Sequence, residues 1–402
     1  MTALTLILPL KGRALHTMRF FWHAERRRLP YRIVVADGQV EPGIAGRLEP
    51  PHALFPSLDI DYVRCPDDSA YRDYFNKLAM AAARVTTPYA MLCDNDDFVV
   101  PAGVEACIAF LDGNRDHAGV SGGVAGFALH RDPALPKVAG PIGSIGSLYH
   151  DGYFAQSHDA PELMARVRAN FAGGYALYYS VFRTDVLATV LGDMAALGLS
   201  DLKAAETFFG ARAKTLGKCR LDRRVVSYVR QAGSSGGAPE VWSIDDLRGG
   251  GPRAAEVQRC LTALARPIAA ADGAEEATVV VLLRELFVSK LMREAQDRAQ
   301  AAATPRQVWR DNLREAARMV APRGIIDFRR HRLRRKAYDE IASSMRAHGA
   351  TAVEIATVRA DIRAIEATLE GPAFPAFLDA RAWDLLPRET ALPERAPAKV
   401  AG

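Results

Sequence analysis

The run Tyr89-Ala90-Met91-Leu92-Cys93 leads straight into Asp94-Asn95-Asp96-Asp97, and no other stretch limits the fold so tightly. A short apolar run closed by polar residues predicts a buried strand. The carboxylates cannot follow it into a core, because burying unpaired charge is costly. The strand must therefore deliver them to a loop at its C-terminal end, the edge at which open α/β sheets present ligands. Carboxylates in such a loop suit a hard cation, Mg²⁺ or Mn²⁺, completed by water and a diphosphate. A solvated acidic turn whose aspartates cap the next helix is the plain alternative.

The residues before this loop alternate strand and helix signals. Leu4 to Leu8, closed by Pro9, and Ile33 to Ala36, closed by Asp37-Gly38, read as buried parallel strands, with a helix over Thr17 to Arg27 between them. Asp67, Asp68 and Ser69 offer caps for a helix through Tyr71, Phe75, Leu78 and Ala82. Pro101 sits in the first turn of a helix running to Leu111. The Gly-, Tyr- and Pro-rich stretch 120–185 predicts a loop-rich, substrate-facing half. Ala172 to Arg183 and Val225 to Val229 read as strands, and Ser200 to Leu216 as a helix with Gly217 past its end.

Ala232 to Pro252 is glycine-rich and marks a linker or loop. The expected division is a domain over 1–240, a glycine-rich linker over 241–252 and a mainly helical region over 253–402. Its expected helices are Arg253 to Ala265, Glu275 to Ala302, Thr304 to Met319, Phe328 to His348 and Ala352 to Leu369. Charge supports that division. Residues 1–250 hold 27 basic and 27 acidic side chains, so the whole net charge of +5 lies beyond them.

Composition excludes several classes. No apolar run reaches the roughly 18 to 20 residues that a membrane span needs, since Arg284 and Glu285 break Ala277 to Val288. The apolar start Met1 to Leu10 has no basic residue ahead of it and contains Pro9, so a cytoplasmic location is expected rather than secretion. Five scattered cysteines without C-x-x-C spacing argue against a disulfide framework or a zinc site and predict buried thiols. Arginine outnumbers lysine 43 to 9, a bias of base composition as readily as of phosphate binding, so it assigns no ligand.

Taken in order, these segments resemble the nucleotide-sugar half of inverting family-2 glycosyltransferases of the GT-A fold. Leu6-Ile7-Leu8-Pro9 matches the first strand and Val34-Val35-Ala36-Asp37-Gly38 the second. Asn76-Lys77 stands at the family's Arg-Asn helix site and Asp94-Asn95-Asp96 at its D-x-D. The resemblance covers roughly residues 4 to 231 and is strongest over 4 to 111. It implies a metal-dependent hexosyl transfer from a nucleotide-diphosphate sugar to a hydroxyl of a bacterial glycan or glycolipid. Asp94 and Asp96 would hold the metal, while Pro9, Lys11, Asp37, Asn76, Asp94, Asn95 and Arg230 would lie about the donor.

Inverting transfer also requires a carboxylate to take the acceptor proton. The resemblance places it at Glu206, in Ala204-Ala205-Glu206-Thr207-Phe208-Phe209, after the aromatic segments Phe171 to Tyr175 and Tyr178 to Arg183. Ala205 and Thr207 depart from the commoner Glu-Asp pair, so Asp201 remains a rival for the role. Arg13, Lys77 and Arg183 join Lys11 and Arg230 as candidate diphosphate contacts. Tyr175, Tyr178, Tyr179 and Trp242 are candidates for stacking on a sugar, and His130, His150 and His158 for a third metal ligand.

The block Arg329 to Lys336 is either a solvated helix face or a peripheral membrane contact suited to a lipid-linked glycan acceptor. Nucleic acid is not an expected partner, and a homo-oligomer is left open. Two other functions compete. One is a sugar-phosphate nucleotidyltransferase, of which Pro9-Leu10-Lys11-Gly12-Arg13 is a poor phosphate loop; the other is a non-catalytic scaffold of the same fold.

Overall fold

The computed structural model describes residues 3–38, 42–49, 54–130, 144–151, 157–172, 178–231, 245–248, 250–301, 323–370 and 373–380. The chain is α/β with a mainly helical C-terminal region. Its N-terminal strands are β1 (Leu4–Leu10), β2 (Arg32–Asp37), β3 (Asp59–Arg64), β4 (Tyr89–Leu92) and β5 (Phe98–Val99). They are followed by β6 (His117–His130), β7 (Ser144–Asp151), β8 (Val181–Arg183) and β9 (Lys218–Gln231). All belong to one sheet of order β3-β2-β1-β4-β8-β6-β9-β5, with β7 paired to β6.

The first four strands in that order are parallel neighbours. Every residue of β1 is buried, as both faces of a central parallel strand require. Alternation sends Leu4, Leu6 and Leu8 to one core and Ile7 to the other, and Ile33 and Val35 part from Val34 and Ala36 in the same way. From β8 onward the sheet is mixed, with β8 antiparallel to both β4 and β6, and β9 parallel to β6.

The helices of the α/β half are α1 (Ala14–Arg27), α2 (Pro42–Leu48), α3 (Tyr71–Ala82), α4 (Pro101–Gly113), α5 (Leu163–Ala172), α6 (Thr184–Ala196) and α7 (Leu202–Leu216). α1 begins three residues before its expected start, directly after Gly12 and Arg13, whose φ angles of 61° and 62° turn the chain out of β1. That turn sets the first residues of α1 beside the end of β4.

Two expectations for the middle of the chain are corrected. Ala172 to Arg183 is not one strand: Phe171 and Ala172 end α5, where Val167 and Phe171 are buried, and among the described residues of the stretch only Val181–Arg183 is a strand. The glycine-rich stretch after His117 is a fourteen-residue strand rather than loop. Its glycines serve close packing, since a Cβ at Gly119 would meet the Phe182 ring at 2.7 Å.

Beyond the short α8 (Asp245–Arg248) come α9 (Pro252–Asp272), α10 (Glu276–Ala301), α11 (Arg323–Ala347), α12 (Ala352–Glu370) and α13 (Ala373–Ala380). The helix expected over Thr304 to Met319 and most of the glycine-rich stretch 232–252 lie outside the described residues. α9 and α10 bury Leu261, Leu264, Ile268, Leu283 and Phe287 in the core that holds α3, α6 and α7. α11 and α12 cover Phe98, Phe127 and Val226, and Phe374 and Leu378 of α13 join the core around α1. Described helices from the C-terminal region thus complete all three cores. None of the described helices is long and apolar enough to cross a membrane. All five cysteines are free and buried, as expected.

Candidate functional site

β4 stops at Leu92, and Asp94 to Asp97 turn at its C-terminal end before β5, held in part by Asp97 N–H donating to the Asp94 carbonyl at 3.2 Å. One carboxylate oxygen from each of Asp94, Asp96 and Asp97 lies within 4.8 Å of the others. Asp94 is partly buried, and the other two are buried. Asn95 points away from this cluster: its Nδ2 donates to Thr17 Oγ1 at 2.9 Å and ties the loop to α1.

Each carboxylate has a different partner. Asp96 Oδ2 faces the Arg13 guanidinium at 3.0 Å, and its carbonyl accepts from Arg19 Nη2 at 2.7 Å. Asp94 Oδ2 accepts from Tyr179 Oη at 2.6 Å. Asp97 accepts from Tyr228 Oη at 3.0 Å and from the Gln231 backbone N–H at 2.7 Å. Burial, and then the charge of Asp96, push the Asp94 carboxyl up to about 6; the Tyr179 hydrogen bond, Arg13 and Arg230 oppose that rise. Burial drives Asp97 upward as well. Close carboxylates with raised pKa values favour an added cation, which relieves the repulsion between them.

Arg19 is the residue that sequence reasoning missed. It is fully buried, lies over the Phe98 ring at 5.1 Å, and joins the Asp96 carbonyl to Gln231 Oε1. Its signal was available in the sequence: a charged residue on the core face of a helix, between Met18 and the pair Phe20-Phe21. His16, one turn before it, is the histidine near the acidic loop. Burial, with Arg19 and Arg13, lowers its imidazole to about 3, so it is neutral at ordinary pH.

A second polar cluster lies at the end of β2. Asp37 is buried and accepts from Tyr62 Oη. Lys77 is buried, ion-pairs with Asp68 and donates to the Leu10 carbonyl at 2.8 Å. Gly38 must be glycine here, because a Cβ would meet the Asp68 carboxyl carbon at 2.5 Å. Asn76, on the same helix as Lys77, is exposed, so α3 turns Lys77 and not Asn76 inward. Pro9 is buried within β1, and Lys11, 47% exposed along its side chain, donates to the Asp68 carbonyl.

On the far side of the acidic loop, α7 carries both candidate bases. Asp201 is its N-cap, accepting from Ala204 N–H at 2.9 Å, with Arg253 at 3.4 Å. Glu206 is partly buried; burial raises its carboxyl, while Lys203, Lys290 and Arg230 act against the rise. Arg230 therefore acts electrostatically on both Asp94 and Glu206. Tyr178 senses the same two acids. Arg183 is used differently from the expectation: its guanidinium donates to the Leu111, Asn114 and His117 carbonyls, a clamp on α4 and β6. His158 is buried beside Cys219, with which it shares a backbone bridge. Tyr175 and Trp242, with the side chains of His130 and His150, lie outside the described residues.

No protein-family model and no curated protein sequence matches the chain. Among solved structures it is similar to S. aureus TarS residues 1–349, at 11% identity and a TM-score of 0.46, over 94% of this chain and 92% of that one. The same protein in complex with UDP-GlcNAc aligns at 14% identity and a TM-score of 0.45, over 94% and 92%. The mannosyltransferase PcManGT from Pyrobaculum calidifontis, in complex with GDP-Man and Mn²⁺, aligns at 12% identity and a TM-score of 0.34, over 89% and 86%.

Proposed function

We propose that this chain is a GT-A glycosyltransferase that moves a hexose, with inversion, from a nucleotide-diphosphate sugar to a hydroxyl of a glycan or glycolipid acceptor. The observation that carries this reading is the convergence of the Asp94, Asp96 and Asp97 carboxylates within 4.8 Å at the C-terminal end of β4. The donor set fits Mg²⁺ or Mn²⁺, since it consists of hard carboxylate oxygens alone. Asp94 and Asp96 would hold the ion, with Asp97 behind them. When bound, the metal supplies charge that stabilises the departing diphosphate.

The chain's own residues account for the remaining steps. Arg13 and Arg230 offer positive charge at the acidic loop, and Lys11 offers it beside Asp68, where a diphosphate would need it. Asp37, with Tyr62 fixing its carboxylate, would accept hydrogen bonds from the nucleoside. Glu206 would take the acceptor hydroxyl proton, and its raised pKa suits a general base better than that of an ordinary surface carboxylate. Tyr178, which feels both Asp94 and Glu206, and Tyr179, bound to Asp94, would border the transferred sugar.

The test is a thermal shift with UDP and with GDP, each in Mn²⁺ and in EDTA. Stabilisation that appears only with metal is expected, about 2.7 kcal/mol at a hundredfold excess over Kd. Equal stabilisation in EDTA would remove the metal from the reading, and no response to any nucleotide would overturn it. Slow metal-dependent hydrolysis across a set of nucleotide sugars would then name the donor.

A further inference from the structure

A cavity away from the acidic loop lies on the C-terminal helices. It is an open groove of about 560 Å³ where the end of α11 meets the first three turns of α12. Its floor is made largely of small side chains, Ala352, Ala356 and Ala360, which recur every fourth residue and so share one helix face. Arg346 rises from α11, and Arg359 and Arg363 from α12; among the described residues no acidic side chain lines the groove.

The arginines are partly preorganised. Arg359 and Arg363 both lie against the Tyr338 ring, at 5.2 and 5.7 Å from its centre, an arrangement that limits where each guanidinium can go. Asp339, on the exposed side, approaches Arg359 to 3.6 Å. Arg359 Nε is buried without a hydrogen-bond partner among the described residues. Arg346 and Arg363 are exposed, and neither has an ion pair among the described residues.

The groove is separate from the candidate active site. Glu354, at the start of α12, acts electrostatically on Arg224 in β9, while Gln231 at the other end of β9 binds Asp97. Between them, the stretch of β9 from Val226 to Gln231 spans about 17 Å.

We propose that this groove is a phosphate-binding site, in which Arg346, Arg359 and Arg363 grip a phosphate or phosphodiester and the alanine floor takes an adjoining apolar or sugar portion. Arginine suits the role because its planar fork donates two hydrogen bonds to one phosphate. Exposed guanidiniums with few competing carboxylates retain most of their attraction at low ionic strength. The site does not depend on glycosyl transfer and stands or falls separately from it.

Titration of the full chain with inorganic tripolyphosphate in EDTA, at low ionic strength, tests this without engaging a metal-dependent site. Saturable binding is expected, weakened about tenfold or more in the Arg346→Gln/Arg363→Gln double variant. Both arginines are surface side chains, and an unchanged unfolding temperature and unchanged metal-dependent nucleotide binding would certify the variant. Flotation with phosphatidylglycerol and with phosphatidylcholine vesicles separates the sources. Binding to the anionic vesicles alone, lost in the double variant, identifies a lipid phosphate; tripolyphosphate binding without flotation identifies a soluble one. Binding of equal strength in wild type and double variant, or in neither, overturns the proposal.

Discussion

Tyr179 and Tyr228 stack face to face, 4.4 Å between ring centres and 14° from parallel, and each donates a hydroxyl hydrogen bond to a different carboxylate of the acidic loop. Tyr179 takes Asp94, and Tyr228 takes Asp97. The stack therefore fixes two of the three acids relative to one another, from the turn before β8 and from β9, which are far apart in sequence. It also explains why Asp94 and Asp97 are compatible with burial: each is matched by a hydroxyl donor held in place by packing.

Removing one hydroxyl should consequently tune the loop without collapsing it. In Tyr179→Phe the stack survives, but Asp94 loses the hydrogen bond that favours its ionised form, so its pKa rises further above about 6. Mn²⁺-dependent nucleotide binding should then move to higher pH, with a several-fold loss near pH 6 and little change near pH 8. Binding measured across that range checks it, and an unchanged profile would sever the link between Tyr179 and the metal site.

Asp96→Ala should abolish transfer with a small effect on stability. The Asp96 carbonyl that Arg19 binds belongs to the backbone and is unaffected, and Arg13 is 30% exposed along its side chain, so water can replace its partner. Steady-state turnover, with circular dichroism as the check on folding, decides this. Wild-type turnover under saturating donor would exclude a metal held by Asp96.

What was legible in the sequence follows from which forces act locally. β1, β2 and β4 are continuous apolar runs because both of their faces are covered, and such runs can be read without tertiary information. β6 could not be read, because its glycines describe the crowding of Phe182 and neighbouring strands rather than any preference of the segment itself. The acidic loop was legible as a cluster of like charges. The cations around it were only partly so: Arg13 stood out as a residue near β1, whereas the burial of Arg19 and the pairing of Lys77 with Asp68 depend on contacts across the fold. Asn76 shows the limit of the motif, since helix phase alone decides that it faces solvent and Lys77 the interior.

The buried pair Lys77–Asp68 should be intolerant of losing one partner. Asp68→Asn leaves the Lys77 ammonium buried with the Leu10 carbonyl but no counter-charge, at a cost of about 3 kcal/mol or more. The double change Asp68→Asn with Lys77→Met should recover much of that loss. Denaturant unfolding of both variants measures it, and a single variant as stable as the wild type would contradict the burial of the pair.

Acid should destabilise the contact between α1 and α12. His23 is buried against Phe98 and bonds Thr368 at 2.7 Å; burial, with Arg27 and Arg19, lowers it to about 3. Its pKa in the unfolded chain is about 6.5. Below that value the unfolded state binds a proton that the folded state refuses. Stability is therefore full above about pH 6.5 and falls as pH drops toward 3, by about 1.4 kcal/mol per unit for this one group. His23→Gln keeps a neutral hydrogen-bonding group and should flatten that slope in urea melts between pH 7 and 4. An identical slope would assign the acid sensitivity to other groups, His158 among them, which burial lowers to about 4.

The sharpest expectation separates the two acids of α7. Asp201 caps the helix, and Glu256 accepts from the Ser200 and Asp201 backbone N–H groups beneath it, so its carboxylate is committed to the fold. Asp201→Ala should cost about 1 kcal/mol of stability and leave the chemistry close to wild type. Glu206 sits just over one turn into the helix and is only partly buried, under the influence of Arg230, which also acts on Asp94. Glu206→Gln keeps size and reach but cannot take a proton, so kcat should fall by about 10² to 10⁴ while donor affinity hardly changes. The measurement is single-turnover transfer alongside nucleotide binding by calorimetry. If Glu206→Gln weakens nucleotide binding as much as it slows transfer, the residue belongs to the donor side of the cleft. If it changes neither while Asp201→Ala slows transfer without unfolding the protein, the roles assigned to the two acids must be exchanged.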